Sequence, residues 1–541
     1  MRPTNVEAEM DHDELFDHVA DVIVVGSGGA GYAAAVAAAA QDASVLVVEW
    51  AESIGGTTAA GGATAWVPNN PSMHALHGLA DPRDDALRYM CRLAYPQHYD
   101  PHSPTLGLEP RAFDLIATFY DRGAEMLEFF EGIDALRLES ELGFPDYHAD
   151  LPENTRPRGR HMHPPAGAGG LIDQLAAAGE RLGVRTLLGH RVVDALRNDT
   201  GQVIGVEARI GTRTVLCRAE RAVVFGTGGF LHDAELVRTY LPGKVFGGCS
   251  VPTTAGDFVR IGQRLGAPLA GMHRSWWKQV LVEQAIDNAH PGGTFLPFGD
   301  SMLQVNKYGH RVVNEKSPYN ERSQVHFHWN PTLREYSNLL MLMVWDSAVA
   351  GNDLRWPFRP PVPMPGETSP WVISGQTWDE LAAAIDTRLE RIAAHTGGAR
   401  LDAGFVTTLA ATVARFNELA AGGVDHDFHR GETPIEVDWN GPGRAGSANP
   451  TMAPLAAEGP YYAVILGAGV LDTNGGPQID TGARVLDADG APIPGLYGAG
   501  NCVAAINGQA YWGPGATIGP ALTYGYIAGR NAAAEPVKPF A

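Results

Sequence analysis

The sequence predicts an α/β protein: a parallel sheet whose chain is interrupted by an inserted α+β domain. Three observations carry this expectation. Near the N-terminus an apolar run, a glycine-rich turn, an Ala-rich segment and a second apolar run ending in an acid follow one another. Residues 213–225 and the tail from about 447 return to apolar runs with glycine-rich turns. Between them, from about 286 to 446, tryptophans, prolines and helical blocks replace that pattern.

Taken in order, residues 1–19 form a polar, acidic arm. The run DVIVV at 21–25, apolar on both faces, predicts a buried parallel strand. Gly26, Ser27, Gly28, Gly29, Ala30 and Gly31 make a GxGxxG turn, and an Ala-rich helix follows over 32–41. A second parallel strand over 44–48 ends at Glu49, completing a βαβ unit of Rossmann type. Residues 107–137 have helical periodicity, and 143–170, rich in Pro, Gly and His, predict an irregular loop on the substrate side. Short strands are expected over 184–210 and 213–225, the last returning to the nucleotide through AVVFGTGGF. Helices are expected over 377–394, 405–419 and, at the end, 518–531. The domain expectation is therefore 1–285, an inserted catalytic domain over 286–446, and 447–541.

Composition narrows the function classes. A chain of 541 residues exceeds one simple core. Forty basic against 61 acidic residues, net −21, speak against a nucleic-acid partner, which needs a basic footprint. Cys91, Cys217, Cys249 and Cys502 have no metal, haem or cluster spacing and read as reduced thiols of a cytoplasmic protein. The first twenty residues lack a secretory pattern, and no uncharged apolar run approaches the roughly 20 residues of a membrane span.

The turn has a physical logic. Its first glycine allows the tight turn, its second lets backbone approach a pyrophosphate, and its third lets helix pack on strand. The helix N-terminus then offers N–H groups to phosphate. Glu49, 21 positions after Gly28, stands where a carboxylate accepts ribose hydroxyls, which favours FAD or NAD over a 2′-phosphorylated cofactor. A second cluster, Gly55, Gly56, Thr57, Thr58, Gly61 and Gly62, follows at once. A flavin threading past backbone uses such a cluster, whereas a nicotinamide has no need of it.

These segments resemble the flavoproteins of the succinate dehydrogenase and fumarate reductase family, nearest to its 3-ketosteroid dehydrogenases. The resemblance rests on VVGSGGAGYAAAVAAA, E-x5-GGTTAAGGATAWVPNN, NEKSPY at 314–319, ARFNELAAGGVDHDFHRG at 414–431, TNGG at 473–476, PIPGLYGAGN and GQAYWGPGATIGPALTYGYIAG, and it covers nearly the whole chain. It implies FAD, held non-covalently, because the second glycine cluster lacks the histidine that some relatives use for attachment. The expected cofactor set then also includes Val192, Val193, Gly228, Gly229, Asp257, Gly500, Asn501, Gly515, Thr517 and Ile518.

Charge separates substrates. A dicarboxylate needs buried cationic donors. The family's arginine in the C-terminal strip is missing here, for residues 485–529 contain no Lys, Arg or His. A neutral, largely apolar substrate with one polar handle is expected. By resemblance to the Δ1-dehydrogenases, the Tyr511 hydroxyl and Gly515 N–H bind a ketone oxygen, and Tyr319 takes the proton from the carbon alpha to it. Tyr147 relays that proton, and a hydride passes to flavin N5. Ionising a tyrosine of pKa near 10 at pH 7 costs about 4 kcal/mol, so a proton shared between tyrosines replaces a fixed phenolate. His161 and His163, like His326 and His328, share a strand face, but nothing completes a metal set. Trp276, Trp277, Trp329 and Trp512 are candidates for pocket wall or core. Trp512 and Gln509 depart from the steroid enzymes, which carry a smaller residue and a histidine there.

The resulting expectation is an FAD-dependent dehydrogenase that introduces a C=C bond alpha,beta to a cyclic ketone, first a 3-ketosteroid at Δ1. Its alternatives are a Δ4-(5α)-ketosteroid, a small ketone of the cyclohexanone type, a fumarate-type enoate reduction, and a non-catalytic electron-carrying flavoprotein. The partners expected are the ketone and an unidentified electron acceptor.

Overall fold

The computed structural model describes residues 15–288, 290, 297, 299–349, 369–440, 444 and 446–539, with the side chains of 439 and 440 left aside. Its main sheet runs in the order Arg484–Leu486, Pro492–Gly498, Arg213–Phe225, His18–Val25, Val45–Val48, Arg185–Leu187. The central strand His18–Val25 pairs in parallel on both sides, Val25 facing Val48 and Phe225. That position explains its unbroken apolar run, since neither face meets water. The first fourteen residues of the expected arm lie outside the described ones, and Val19 already pairs with Arg218.

Every residue of the first helix, Gly29–Ala39, is buried. The C-terminal helix Ile518–Ala534 lies against it so closely that a Cβ on Gly525 would sit 2.4 Å from the Ala30 carbonyl oxygen, and one on Gly529 2.2 Å from that of Ala34. Close backbone approach, rather than an amphipathic face, selects the alanines. The helix begins three residues before the expected 32, so Gly29, Ala30 and Gly31 belong to its first turn. Arg213–Phe225 is one 13-residue strand that continues the hairpin Arg191–Arg197 and Val203–Ile210.

A second, antiparallel sheet runs Ser275–Leu281, Tyr461–Thr473, Leu340–Asp346, Met302–Asn306, with Ile373–Gly375 also on Tyr461–Thr473. Helices Trp378–Arg391 and Phe405–Gly422 close its apolar face through Leu381, Ile385, Leu409 and Phe416. This sheet takes a strand from each side of the expected 286–446 insertion, so the structural unit is wider than the composition change. Both strands are buried on both faces and resemble main-sheet strands in sequence. The expected loop 143–170 contains a short strand, His161–His163, which pairs with Ala65–Trp66 and Glu139–Ser140. Among the described residues no helix is long and apolar enough to cross a membrane.

Candidate active site

The glycine-rich turn is built by close approach. Gly26 has φ +95°, and a Cβ there would meet the Gly226 carbonyl oxygen at 2.6 Å. A Cβ on Gly31 would lie 1.9 Å from the Gly26 oxygen. The Ser27 amide and hydroxyl both donate to Glu49 Oε2, at 2.9 and 2.6 Å, and the Gly55 amide donates to Ser27 Oγ at 2.9 Å. Ala51 N–H donates to Glu49 Oε1 at 2.7 Å. The acid is thus fixed at the end of its strand with its carboxylate on the wall of a cavity of about 780 Å³.

That volume is toward the upper end of small-molecule sites, roughly 300–1,000 Å³. The cavity runs from the glycine turn to the tyrosines. All of the expected cofactor residues line it except Gly31, Gly55, Val193 and Gly229. Those four are corrected to positions behind the wall. Gly31 is spent on helix–strand contact, and Gly55, at φ +105°, packs on Ala59 and Ile172. The Val193 carbonyl accepts from the exposed Arg264. Gly229 gives its amide to Asp472 at 2.8 Å. Asp257 lines the cavity while bound to Arg191, whose guanidinium lies 4.0 Å from the Trp50 ring centre. Trp50, Arg191 and Asp472 were not legible in sequence, because no short motif contains them. The cradle fits FAD: a helix N-terminus and glycine backbone for the pyrophosphate, a fixed acid for the ribose, and a largely apolar extension beyond the second glycine cluster.

At the other end three tyrosines meet. The Tyr147 hydroxyl donates to that of Tyr319 at 2.9 Å, and the Tyr319 and Tyr511 ring centres lie 5.3 Å apart. The Tyr147 and Tyr511 rings stack, 5.5 Å apart at 9°, while Tyr319 stands edge-on to both. Local backbone explains the meeting. The Tyr147 amide donates to the Trp512 carbonyl at 3.0 Å, tying the 143–170 segment to the residue after Tyr511. Burial pushes the Tyr511 hydroxyl up to about 12, and burial with mutual repulsion holds Tyr147 and Tyr319 well above the usual range, so all three are neutral near pH 7.

Gly515 completes this end. Its φ is +89°, a Cβ would meet the Ala65 backbone at 2.6–2.8 Å, and its amide has no partner among the described residues. Trp276 stands edge-on to Tyr511, ring centres 5.6 Å apart. Its indole N–H donates to Asn501 Oδ1 at 2.9 Å, and the Asn501 amide donates to Asp472 at 3.1 Å. Burial raises Asp472 to about 6. This chain ties the cofactor loops to the tyrosine cluster.

The other tryptophans part ways. Trp512 is fully buried outside the cavity, stacked on Phe119 at 5.8 Å and donating to the Met90 carbonyl. Tyr511 lines the cavity whereas its neighbour Trp512 packs on Trp66 and Phe119. Gln509 is exposed, Trp277 packs on Phe327, and Trp329 lies half in solvent. His326 gives a nitrogen to the Asn338 carbonyl, whereas His161 and His163 face the cavity. Among the described residues no group of three His, Cys, Asp or Glu could hold a metal. Arg191 is the one Lys or Arg among the described lining residues.

Comparison with known proteins finds relatives along most of the chain. The family profile described as FAD binding domain matches residues 21–518. The 4-oxocyclohexanecarboxylate 2-dehydrogenase of Sinomonas cyclohexanicum is 32% identical over 95% of this chain and 93% of its own. The 3-oxosteroid 1-dehydrogenase of Mycolicibacterium smegmatis is 29% identical over 95% and 97%. The crystal structure of 3-ketosteroid Δ1-dehydrogenase from Sterolibacterium denitrificans, in complex with 1,4-androstadiene-3,17-dione, superposes with a TM-score of 0.78. It is 25% identical and covers 96% of this chain and 100% of its own.

Proposed function

The chain belongs to the FAD binding domain family, and from that premise we propose that it is a flavin-dependent dehydrogenase that forms a C=C bond alpha,beta to the carbonyl of a cyclic ketone, first a 3-ketosteroid at Δ1. The observation that carries this is the cluster of Tyr147, Tyr319 and Tyr511, the first two hydrogen-bonded and the third packed on both, beside a Gly515 amide with no partner among the described residues. Glu49, the Gly26–Gly29 backbone, Asn501 and Thr517 hold FAD, without a covalent bond. When bound, FAD supplies the acceptor for the hydride from the beta carbon.

The chain's own residues handle the proton. The Tyr511 hydroxyl and Gly515 N–H hold the ketone oxygen. Each such donor contributes about 3–4 kcal/mol to stabilising the developing enolate. That is comparable with the roughly 4 kcal/mol needed to ionise a tyrosine at pH 7. Tyr319 receives the alpha proton as its own passes to Tyr147 and Tyr147 releases one to solvent, the two hydroxyls turning from the resting arrangement in which Tyr147 donates, so no lasting phenolate forms. The buried aromatic walls exclude water from the enolate. A dicarboxylate fits poorly, because Arg191 is already paired with Asp257.

A second reading, a small cyclic ketone, is favoured by the relative named for 4-oxocyclohexanecarboxylate. Steady-state rates on androstenedione and on cyclohexanone with an artificial electron acceptor separate the two. Faster turnover of androstenedione supports the steroid reading, and cyclohexanone turned over alone replaces it.

A further inference from the structure

We propose that His161 recognises a second, uncharged oxygen on the ring substrate, a hydroxyl or carbonyl remote from the ketone that the tyrosines hold. The inference rests on the cyclic-ketone reading and adds a specificity-determining residue to it.

His161 is 5% exposed, and both of its ring nitrogens lack a hydrogen-bond partner among the described residues. Buried polar atoms left so are rare, because each forfeits its contacts with water and gains none in return. The ring lines the cavity, so a bound molecule can supply the missing partner. Its position is rigid. The short strand that carries it pairs on both sides, with Trp66 opposite His161 and Ser140 opposite Met162. The Phe144 ring stands edge-on to the imidazole at 5.5 Å and 82°. Phe144 and Tyr147 share one loop, which joins this wall to the tyrosine end.

The chemistry of the partner follows from charge. Burial first, then neighbouring His163, lowers the His161 pKa to about 4, so the ring is neutral near pH 7. A neutral imidazole offers one N–H and one lone pair. A hydroxyl matches both, and a carbonyl takes the N–H. Glu141, also on the cavity wall, holds Oε2 3.6 Å from His161 Nδ1 and 3.7 Å from His163 Nε2, beyond hydrogen-bond reach but close enough to repel a carboxylate.

The test compares matched ketones. The kcat/KM ratios are measured for androst-4-ene-3,17-dione over androst-4-en-3-one and for 4-hydroxycyclohexanone over cyclohexanone. Wild type, His161→Phe and His161→Gln are compared, with bound flavin determined for each. In at least one pair the wild type should prefer the oxygen-bearing ketone roughly tenfold or more. His161→Phe should bring that ratio close to one with flavin content unchanged, and His161→Gln, which keeps a donor and an acceptor, should restore part of it. A ratio that His161→Phe leaves intact overturns the inference while the ketone reading stands. Loss of flavin from both variants also overturns it, because the imidazole then serves the cofactor. A wild-type preference for 4-oxocyclohexanecarboxylate over 4-hydroxycyclohexanone overturns the claim that the second group is uncharged. No turnover of any ketone overturns both readings.

Discussion

In the proposed reaction Tyr511, Tyr319 and Gly515 set the chemistry at the scale of single residues. Removing one hydroxyl from the ketone-binding pair should cost about 3–4 kcal/mol of transition-state stabilisation. Tyr511→Phe is therefore expected to lower kcat roughly 10²–10³-fold, and Tyr319→Phe, which removes the proton acceptor, roughly 10²–10⁴-fold, each with bound FAD retained, read by single-turnover kinetics and flavin absorbance. Full activity in both removes the site assignment. Gly515→Ala adds a left-handed backbone penalty of about 1–3 kcal/mol and a clash with Ala65. A melting temperature several degrees lower is expected, and an unchanged melt with unchanged kcat contradicts the role given to this turn. Asp472 gives a pH signature. Its folded pKa, about 6, lies above the usual carboxylate value, so the stability it contributes is present at low pH and is lost as pH rises through 6. Asp472→Asn should thus gain on wild type in thermal melts taken from pH 4 to pH 7, and a pH-independent difference denies the shift. The tyrosines were legible only through the segments around them. Nothing in the composition distinguishes Tyr319 from thirteen tyrosines outside the cluster.

The two helices that enclose the nucleotide turn show what is decided at the scale of elements. Gly29–Ala39 and Ile518–Ala534 meet backbone to backbone at Gly525 and Gly529. Gly529→Leu forces them apart, and overpacking of this kind costs about 1–3 kcal/mol or more. Lower thermal stability together with weaker FAD retention is expected, measured by flavin release on gel filtration; tight FAD binding at wild-type stability would show that the contact is slack. The βαβ unit was legible because its strands, turn and acid are contiguous and each has a local signature. Strand membership of the second sheet was not. Ser275–Leu281 and Tyr461–Thr473 are buried on both faces and carry no alternation to say which sheet they join. The short strand at His161 was hidden for a different reason: three residues are too few to show a period.

On the scale of the whole molecule, Tyr461–Thr473 joins the two halves. It is shared by three partners of the second sheet, and its last residues, with Asp472 among them, reach the cavity wall. The cofactor loops and the tyrosine cluster are therefore parts of one connected site, through Asp472, Asn501 and Trp276. The nucleotide end of that site is nearly contiguous in sequence. The tyrosine end was expected only by resemblance, because its meeting joins segments hundreds of positions apart, through contacts such as that of the Tyr147 amide with the Trp512 carbonyl, which any residue type supplies. The expectation of a neutral substrate came from sequence alone, from the missing cations of 485–529, and the pairing of Arg191 with Asp257 is consistent with it. Anaerobic reduction of the bound flavin tests the central claim most directly. The purified protein is mixed with 3-ketosteroids, with simple cyclic ketones and with succinate, and the flavin absorbance is followed. Bleaching by a cyclic ketone, lost in Tyr319→Phe, and none by succinate is the result predicted. Bleaching by succinate alone, or by no ketone at all, would contradict the account.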